Sequence, residues 1–134
     1  MIRLEHIGIA VKDLNSSNKL LERLLGKSKY KEELVLSADV KTSFFQIGES
    51  KIELLEDNMG NGAIAKFITK RGEGIHHLAF EVGDIEYEIK RLKENGFTIL
   101  DERPKRGADN KLICFLHPKS TNGVLVELCQ TIKE

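Results

Sequence analysis

The sequence predicts an α+β fold in which two successive βαβββ modules form a mostly antiparallel sheet. Two observations carry this prediction. A strand pattern that contains a histidine near the N-terminus returns in the second half of the 134-residue chain. Each copy is followed by a helix pattern that ends at a glycine, and then by further strand patterns. We expect one domain over residues 1–134, with modules at about 1–60 and 72–134 and a short helical linker at 61–71.

The repeat becomes visible when LEHIGIAVKDL is aligned with IHHLAFEVGDI. His6 then falls on His77, and the offset is 77 − 6 = 71. The helix patterns that follow, NSSNKLLERLLG and EYEIKRLKENG, close at Gly26 and Gly96, so their offset is 96 − 26 = 70. The two halves therefore begin in the same way at nearly the same spacing.

A second match follows the first in the same order. KIELL aligns with LVELC, which places Glu53 on Glu127 at an offset of 127 − 53 = 74. Two ordered matches at nearly one offset, together with the two helices that end in glycine, predict an internal duplication.

The individual elements are predicted from residue periodicity. Strands are expected where β-branched and aromatic residues alternate with polar ones, and helices where apolar residues recur every three or four positions. Asp13 and Asp84 are predicted helix N-caps. The predicted helices run from Asp13 to Gly26, within NGAIAKFITKRG, and over 85–95. The predicted strands lie near 3–11, 32–37, 42–47, 50–55, 75–82, 97–101, 111–116 and 123–130.

The composition is that of a globular protein and argues against nucleic-acid and membrane roles. The 21 basic residues balance 21 acidic ones and no basic run occurs, so binding to nucleic acid has no electrostatic support. No apolar stretch approaches the ~18 residues that span a bilayer, and the N-terminus lacks a signal-peptide layout. Cys114 and Cys129 form neither a zinc pattern nor a disulfide framework. We therefore expect a reduced, cytoplasmic protein.

Strand alternation places two histidines among small residues. His6 shares a strand face with Gly8 and Ala10, and His77 shares the equivalent face with Ala79. The large apolar residues point the other way, where the helices are expected to pack. Small neighbours leave space beside a polar group, which favours a cavity on the histidine face.

Glu53 and Glu127 each interrupt an apolar run in a predicted strand, where glutamate is disfavoured. Burying a carboxylate there costs free energy unless it is paired, protonated or bound to a cation. On an exposed sheet face, either glutamate alone would carry no functional meaning.

The duplication gives these four residues a joint interpretation. If the two halves pack about a pseudo-twofold axis, His6, Glu53, His77 and Glu127 meet at one centre. Two imidazoles and two carboxylates form a mixed N/O set for a divalent ion such as Co, Ni, Mn, Zn or Mg. An octahedral ion with four protein ligands keeps two open positions for a chelating substrate.

The remaining two histidines lie outside this pattern. His76 alternates to the helix-facing side of its strand, so we predict a polar residue there that is not a metal ligand. His117, in FLHPKS, lies in a predicted loop and is either functional or merely solvated.

Four segments resemble the vicinal oxygen chelate superfamily (glyoxalase/bleomycin resistance/dioxygenase), and within it the methylmalonyl-CoA epimerase family. They are EHIGIAVKDL, KIELLED, AIAKFITKRGEGIHHLAFEVGDI and FLHPKSTNGVLVELCQ. GEGIHHLAFEV and HPKSxxGVLVEL are the most specific, and the resemblance covers nearly the whole chain. It implies a glyoxalase-like open, cup-shaped mixed β-sheet, a homodimer, and His6, Glu53, His77 and Glu127 as metal ligands.

The resemblance implies an isomerase that interconverts (R)- and (S)-methylmalonyl-CoA through abstraction of the α-proton and a metal-stabilised enolate. Glu127 is the expected base, and Glu53 is its symmetry-related alternative. Some family members resemble a two-base design with a glutamate on the strand before KIELL. VKTSFFQIG has none there, so the second base stays open; the nearest polar residues are Thr42, Ser43 and Gln46.

The acyl-CoA substrate also needs contacts for its phosphates. Lys105, Arg106 and Lys119 are predicted loop cations that could supply them.

Two alternative functions remain open. A lactoylglutathione lyase (glyoxalase I) shares the His/Glu/His/Glu ligand set, although the HPKS stretch favours the epimerase. A non-catalytic small-molecule-binding protein of the same fold typically lacks these ligands, so their presence here argues against it.

Overall fold

The computed structural model describes residues 1–133, which fall into two compact units. The first unit comprises His6–His76, and the second joins Met1–Glu5 to the described residues from His77 onward. Among the described residues, no helix is long and apolar enough to cross a membrane.

The first unit is a mixed four-stranded sheet with two helices. Its elements are β1 (Arg3–Ala10, whose first three residues belong to the second unit), α1 (Leu14–Leu25), β2 (Lys31–Val35), β3 (Val40–Ile47), β4 (Ser50–Asp57) and α2 (Ala63–Arg71). The strand order is β2-β3-β4-β1, with β1 parallel to β4 and the other pairs antiparallel. Helix α2 lies within the predicted linker; the division into one domain with two modules stays a prediction.

The second unit repeats this plan. Its elements are β5 (Gly74–Glu81, whose first three residues belong to the first unit), α3 (Ile85–Glu94), β6 (Lys105–Arg106), β7 (Lys111–Leu116), a 3₁₀ turn (Pro118–Ser120) and β8 (Val126–Thr131). The order is β5-β8-β7-β6, and β5 runs parallel to β8. The predicted α+β class, with a strand, a helix and three strands in each half, is confirmed.

The duplication extends to the helix caps. The Asp13 carboxylate accepts a hydrogen bond from the backbone N–H of Ser16 at the start of α1. The Asp84 carboxylate does the same for Tyr87 at the start of α3, and 84 − 13 = 71. Each cap pairs a backbone N–H group that the first helical turn leaves without an intrahelical partner.

A second side chain anchors each helix to the sheet. The backbone N–H of Leu14, the first residue of α1, donates to the Glu56 carboxylate at 2.8 Å. The backbone N–H of Ile85 donates to the Gln130 side-chain oxygen at 2.7 Å. The offsets, 85 − 14 = 71 and 130 − 56 = 74, are those of the sequence matches, so both halves fasten their helix in the same way.

Each unit buries its own apolar core between helix and sheet. Ile9, as predicted, faces the helix side and packs with Leu21 and Leu25 of α1 against the first core. The first core contains Val11, Leu14, Phe45 and Leu54. The second contains Val82, Ile85, Ile89, Leu92, Cys114, Leu116 and Leu128.

The two cores differ in polarity at two equivalent positions. Asn18 of α1 and Ser43 of β3 are buried, and the Asn18 side-chain oxygen and the Ser43 hydroxyl have no hydrogen-bond partner among the described residues. Their equivalents are the apolar core residues Ile89 and Cys114, since 89 − 18 = 71 and 114 − 43 = 71. A buried polar group without a partner is destabilising, so the first core is the weaker of the two at these positions.

The strand predicted at 97–101 is wrong. The Leu100 N–H does donate to the Phe115 carbonyl, but the Phe115 N–H donates to the Asp101 carboxylate at 2.9 Å. In a regular antiparallel pair the Phe115 N–H would instead donate to the carbonyl of Leu100. The side chain therefore ends the ladder after one isolated bridge, and the strand that pairs with β7 is Lys105–Arg106.

Asp57 organises the connection between β4 and α2. Its carboxylate accepts hydrogen bonds from the backbone N–H groups of Gly60, Gly62 and Ala65 at 2.7 to 3.1 Å. A Cβ atom at Gly62 would lie 2.7 Å from the carboxylate, so only glycine allows this close approach. Burial by itself would raise the pKa of Asp57, but the backbone N–H groups outweigh it and lower the pKa below its ordinary value.

Replacing Ser43 by cysteine should stabilise the protein. Ser43→Cys removes the unpartnered hydroxyl and installs the residue that the second core carries at the same position, so we expect a gain of about 1 kcal/mol. Urea unfolding measures it. Ser16→Ala is the control and should bring no such gain, because the Ser16 hydroxyl is exposed and already donates to the Asp13 carbonyl. A loss of stability in Ser43→Cys would show that the hydroxyl is satisfied.

Asp57→Asn should reduce the acid sensitivity of folding. Because the folded pKa lies below the unfolded value of about 3.9, the carboxylate contributes stability above that pH, and this is lost as pH falls through the folded pKa. We expect the free energy of unfolding to fall less between about pH 5 and pH 3 in Asp57→Asn than in the wild type. Equal pH profiles from chemical denaturation would contradict this assignment.

Candidate functional site

The first unit places His6 beside Glu53. Strands β1 and β4 are parallel with Gly8 aligned to Glu53, and His6 lies two residues before Gly8 on the same face. The His6 Nε2 is 3.2 Å from the Glu53 Oε1. Both residues are buried, each 5% exposed, so this pair is shielded from solvent.

The second unit places His77 beside Glu127 by the same construction. Strands β5 and β8 are parallel with Ala79 aligned to Glu127, and His77 lies two residues before Ala79. The His77 Nε2 is 3.3 Å from the Glu127 Oε1, and both residues are buried. Each half thus brings its own histidine and glutamate together with the same pair of atoms.

The chemistry of these pairs suits a metal ion. A carboxylate in a dry strand is costly unless a cation or strong donor balances it, and an imidazole nitrogen and a carboxylate oxygen are both ligands for divalent ions. His6, His77 and Glu127 are buried, and each offers an atom able to ligate a metal. The residues present therefore fit the expected metal; that both pairs share one ion stays a prediction.

A phenylalanine lies opposite each glutamate, which the sequence comparison had not singled out. Phe44 is aligned with Glu53 across β3 and β4, and Phe115 is aligned with Glu127 across β7 and β8. The offset, 115 − 44 = 71, would have revealed the match of SFFQ with CFLH. The Phe115 ring meets the ring of His77 edge-on, with centroids 5.8 Å apart and an interplanar angle of 86°.

Comparison with known families decides the classification. The model of the Glyoxalase/Bleomycin resistance protein/Dioxygenase superfamily matches residues 5–115. The chain belongs to this superfamily. The resemblance read from its sequence segments is therefore confirmed, together with the glyoxalase-like α+β fold class.

Several known proteins are similar to this chain over nearly their full length. The ethylmalonyl-CoA/methylmalonyl-CoA epimerase of Cereibacter sphaeroides is 41% identical over 131 residues, covering 96% of this chain and 97% of that protein. The uncharacterized Bacillus subtilis protein YqjC is 38% identical over 130 residues, or 97% and 93% of the two chains. A variant of Streptomyces coelicolor methylmalonyl-CoA epimerase, solved with 2-nitronate-propionyl-CoA, superposes with a TM-score of 0.95 at 32% identity over 99% of each chain.

Three polar residues of β3 bear on the open question of a second catalytic base. Thr42 is fully buried, and its hydroxyl donates to the Glu33 carbonyl. Ser43 points to the side of α1, and the Gln46 amide donates to the Gly48 carbonyl. Each side chain is thus turned to the backbone or the core, and none of the three has the chemistry of a base.

His76 packs against helix α2, so its side chain faces a helix, as predicted. Its ring meets the ring of Phe67 edge-on, with centroids 4.9 Å apart. The guanidinium of Arg71 lies 5.8 Å from the centroid of the Phe67 ring. The adjacent histidines thus lie in different surroundings.

His117 has a role in the backbone of its loop. It precedes the 3₁₀ turn, and its Nδ1 accepts a hydrogen bond from the backbone N–H of Lys119 at 3.0 Å. Because Nδ1 is the acceptor, a neutral His117 carries its proton on Nε2. The residue caps a turn rather than being merely solvated.

The three predicted loop cations are exposed, but two of them do not lie in a loop. Lys105 and Arg106 form strand β6, where they pair with Ile113 and Leu112 of β7. The predicted loop location of these two residues was wrong, because the ladder that ends at Asp101 resumes at Lys105. Lys119 lies in the 3₁₀ turn.

The second unit also buries an ion pair that strand alternation could have indicated. Glu5 interrupts the apolar face of β1 and is 2% exposed, and its Oε2 lies 3.8 Å from the Nζ of Lys111. The Lys111 ammonium also donates to the Thr131 hydroxyl at 2.8 Å. Hydrogen bonds of this kind are what make a buried pair tolerable.

Both cysteines are buried. Burial raises the pKa of Cys114 to about 12, and the charges of Asp101 and Glu127 act in the same direction. Burial likewise raises the pKa of Cys129. Both thiols stay protonated at neutral pH, so they serve the core.

Proposed function

We propose that this protein is a metal-dependent epimerase that interconverts (R)- and (S)-methylmalonyl-CoA. The observation that carries the proposal is the buried His–Glu pair that recurs in each half, at 3.2 Å and 3.3 Å. The relatives that bear a functional name support the substrate, because they are methylmalonyl-CoA epimerases that match most of this chain.

The four residues His6, Glu53, His77 and Glu127 are proposed to hold one divalent ion, with Co, Ni, Mn, Zn and Mg as candidates. Burial of all four supports this, since dry carboxylates and imidazoles are favourable only around a cation or in hydrogen-bonded pairs. When bound, the ion supplies positive charge that lowers the free energy of negative charge developing on the substrate.

Glu127 is proposed to take the α-proton of the substrate. The C–H bond breaks, its electron pair is delocalised into the thioester carbonyl, and the proton moves to the carboxylate. Glu53, the equivalent residue of the other half, is proposed to return a proton to the opposite face of the carbon. For this, Glu53 starts as the carboxylic acid and Glu127 as the carboxylate, so one turnover leaves Glu53 ionised and Glu127 protonated, ready for the reverse direction. A glutamate would not ligate the ion through the oxygen that carries the proton. None of Thr42, Ser43 and Gln46 of β3 is a base, which supports this choice.

The remaining substrate contacts are proposed on the surface of the second unit. Lys105, Arg106 and Lys119 are exposed cations that suit the phosphates of CoA. A homodimer and a cytoplasmic location are also proposed, and both rest on the resemblance to the epimerases.

The activity is tested by exchange of the α-proton. We expect metal-loaded protein to catalyse deuterium incorporation into methylmalonyl-CoA in deuterated water, observed by NMR. Glu127→Gln should lower the rate at least about 100-fold, because the amide cannot accept the proton. Glu94→Gln, an exposed position at the end of α3, is the matched control and should leave the rate unchanged.

No exchange with any divalent metal would contradict the epimerase. Turnover of the methylglyoxal–glutathione hemithioacetal instead would assign the lyase, which the carboxylate at position 53 also suits. Tight binding of a small molecule without turnover would assign the non-catalytic alternative.

The metal site is tested with the two adjacent histidines. We expect the metal-free protein to bind one Co²⁺ per chain, and His77→Ala to weaken this binding at least about 100-fold because an imidazole ligand is lost. His76→Ala should bind Co²⁺ like the wild type, since His76 packs on Phe67. Calorimetric titration measures both. Equal effects of the two substitutions would overturn the assignment.

A further inference from the structure

We propose that Asp101 is a positioning residue that orients Phe115 and, through Phe115, the imidazole of His77. The inference rests on the proposed function, in which His77 ligates the metal. The hydrogen bond between Asp101 and Phe115, which ends the ladder beside β7, lies within the second unit.

The main chain of Phe115 is held from outside the β7–β8 pair. Its N–H donates to the Asp101 Oδ2 at 2.9 Å, and its carbonyl accepts from the N–H of Leu100 at 2.8 Å. Both groups therefore point away from β8. Phe115 and Glu127, which are aligned across the two strands, form a pair that is not hydrogen-bonded. Side chains approach most closely in such pairs.

The Phe115 side chain then restricts the histidine. Its ring meets the His77 ring edge-on at 5.8 Å, while the His77 Nε2 lies 3.3 Å from the Glu127 Oε1. The Phe115 ring thereby limits the rotation of the imidazole. Phe115 thus lies against the histidine and opposite the glutamate of its unit, and its own position determines the plane in which His77 can offer Nε2.

The first unit shows what Asp101 replaces. There Phe44 is aligned with Lys31 in strand β2, and its carbonyl accepts from the N–H of Tyr30, the equivalent of Leu100. A continuous strand supports Phe44, whereas a single side chain supplies the bond to the Phe115 N–H. The orientation of the second histidine therefore depends on one substitutable residue.

The two carboxylate oxygens of Asp101 have separate partners, which allows their roles to be distinguished. Oδ2 accepts from the Phe115 N–H, and Oδ1 lies 3.7 Å from the Nζ of Lys105 in an exposed ion pair. An asparagine keeps an oxygen for the N–H but loses the charge. An alanine loses both, and Lys105→Met loses only the ion pair.

The experiment is calorimetric titration of the metal-free protein with Co²⁺, together with the visible absorption spectrum of bound Co²⁺. We expect Asp101→Ala to weaken binding about tenfold and to change the spectrum, because a displaced Phe115 ring no longer restricts the imidazole. Tenfold is the lower end of the effect of losing an outer-shell contact. Asp101→Asn should bind Co²⁺ with an affinity within about twofold of the wild type. Lys105→Met should match the wild type in Co²⁺ affinity and in the spectrum. A purely structural role would lower the melting temperature of Asp101→Ala without changing the spectrum.

The outcomes separate this inference from the metal site itself. Wild-type affinity and spectrum in Asp101→Ala would overturn the positioning role and leave the proposed function intact. A wild type that binds no Co²⁺ would remove the metal site, and with it the inference. If Asp101→Ala does not fold, Asp101→Glu decides, because its longer side chain keeps the charge but displaces the Phe115 backbone; unchanged Co²⁺ binding there would equally overturn the role.

Discussion

The parallel pairing of the first and last strands in each half is the constraint on which the candidate site depends. It aligns Gly8 with Glu53 and Ala79 with Glu127. Aligned residues share a face, so the histidine two positions earlier meets the glutamate. A slip of one residue would turn the glutamate to the helix side. The small side chain at the aligned position leaves room for the imidazole and the carboxylate to approach.

Burial of these polar pairs sets the energetic problem that the surrounding structure answers. A buried carboxylate is tolerated only when the groups that balance its charge are held in place. A phenylalanine lies opposite each glutamate, and the two halves support this phenylalanine differently. Phe44 is paired with strand β2, whereas the Asp101 side chain interrupts the ladder at Phe115. The same interruption moves a strand to Lys105–Arg106 and brings two cations to the surface of the second unit.

Duplication explains both the similarity and the differences between the halves. Helix caps, sheet anchors and His–Glu pairs recur at offsets of 71 to 74 residues, because each stabilises the same βαβββ plan. Positions that take no part in these contacts differ between the two halves. Ser43 and Asn18 carry buried polar atoms, where Cys114 and Ile89 fill the second core.

Strand alternation and helix periodicity act over a few residues, and together with the internal repeat they predicted the fold class and the four candidates His6, Glu53, His77 and Glu127. The contact of each histidine with the glutamate of its own half came from the structure. Alternation also separated His77 from His76. Tertiary structure decided what depends on distant partners: Asp101 displaces a predicted strand by bonding Phe115, and His117 caps a turn. Such hydrogen bonds join residues far apart in sequence or in irregular backbone, where residue periodicity carries no signal.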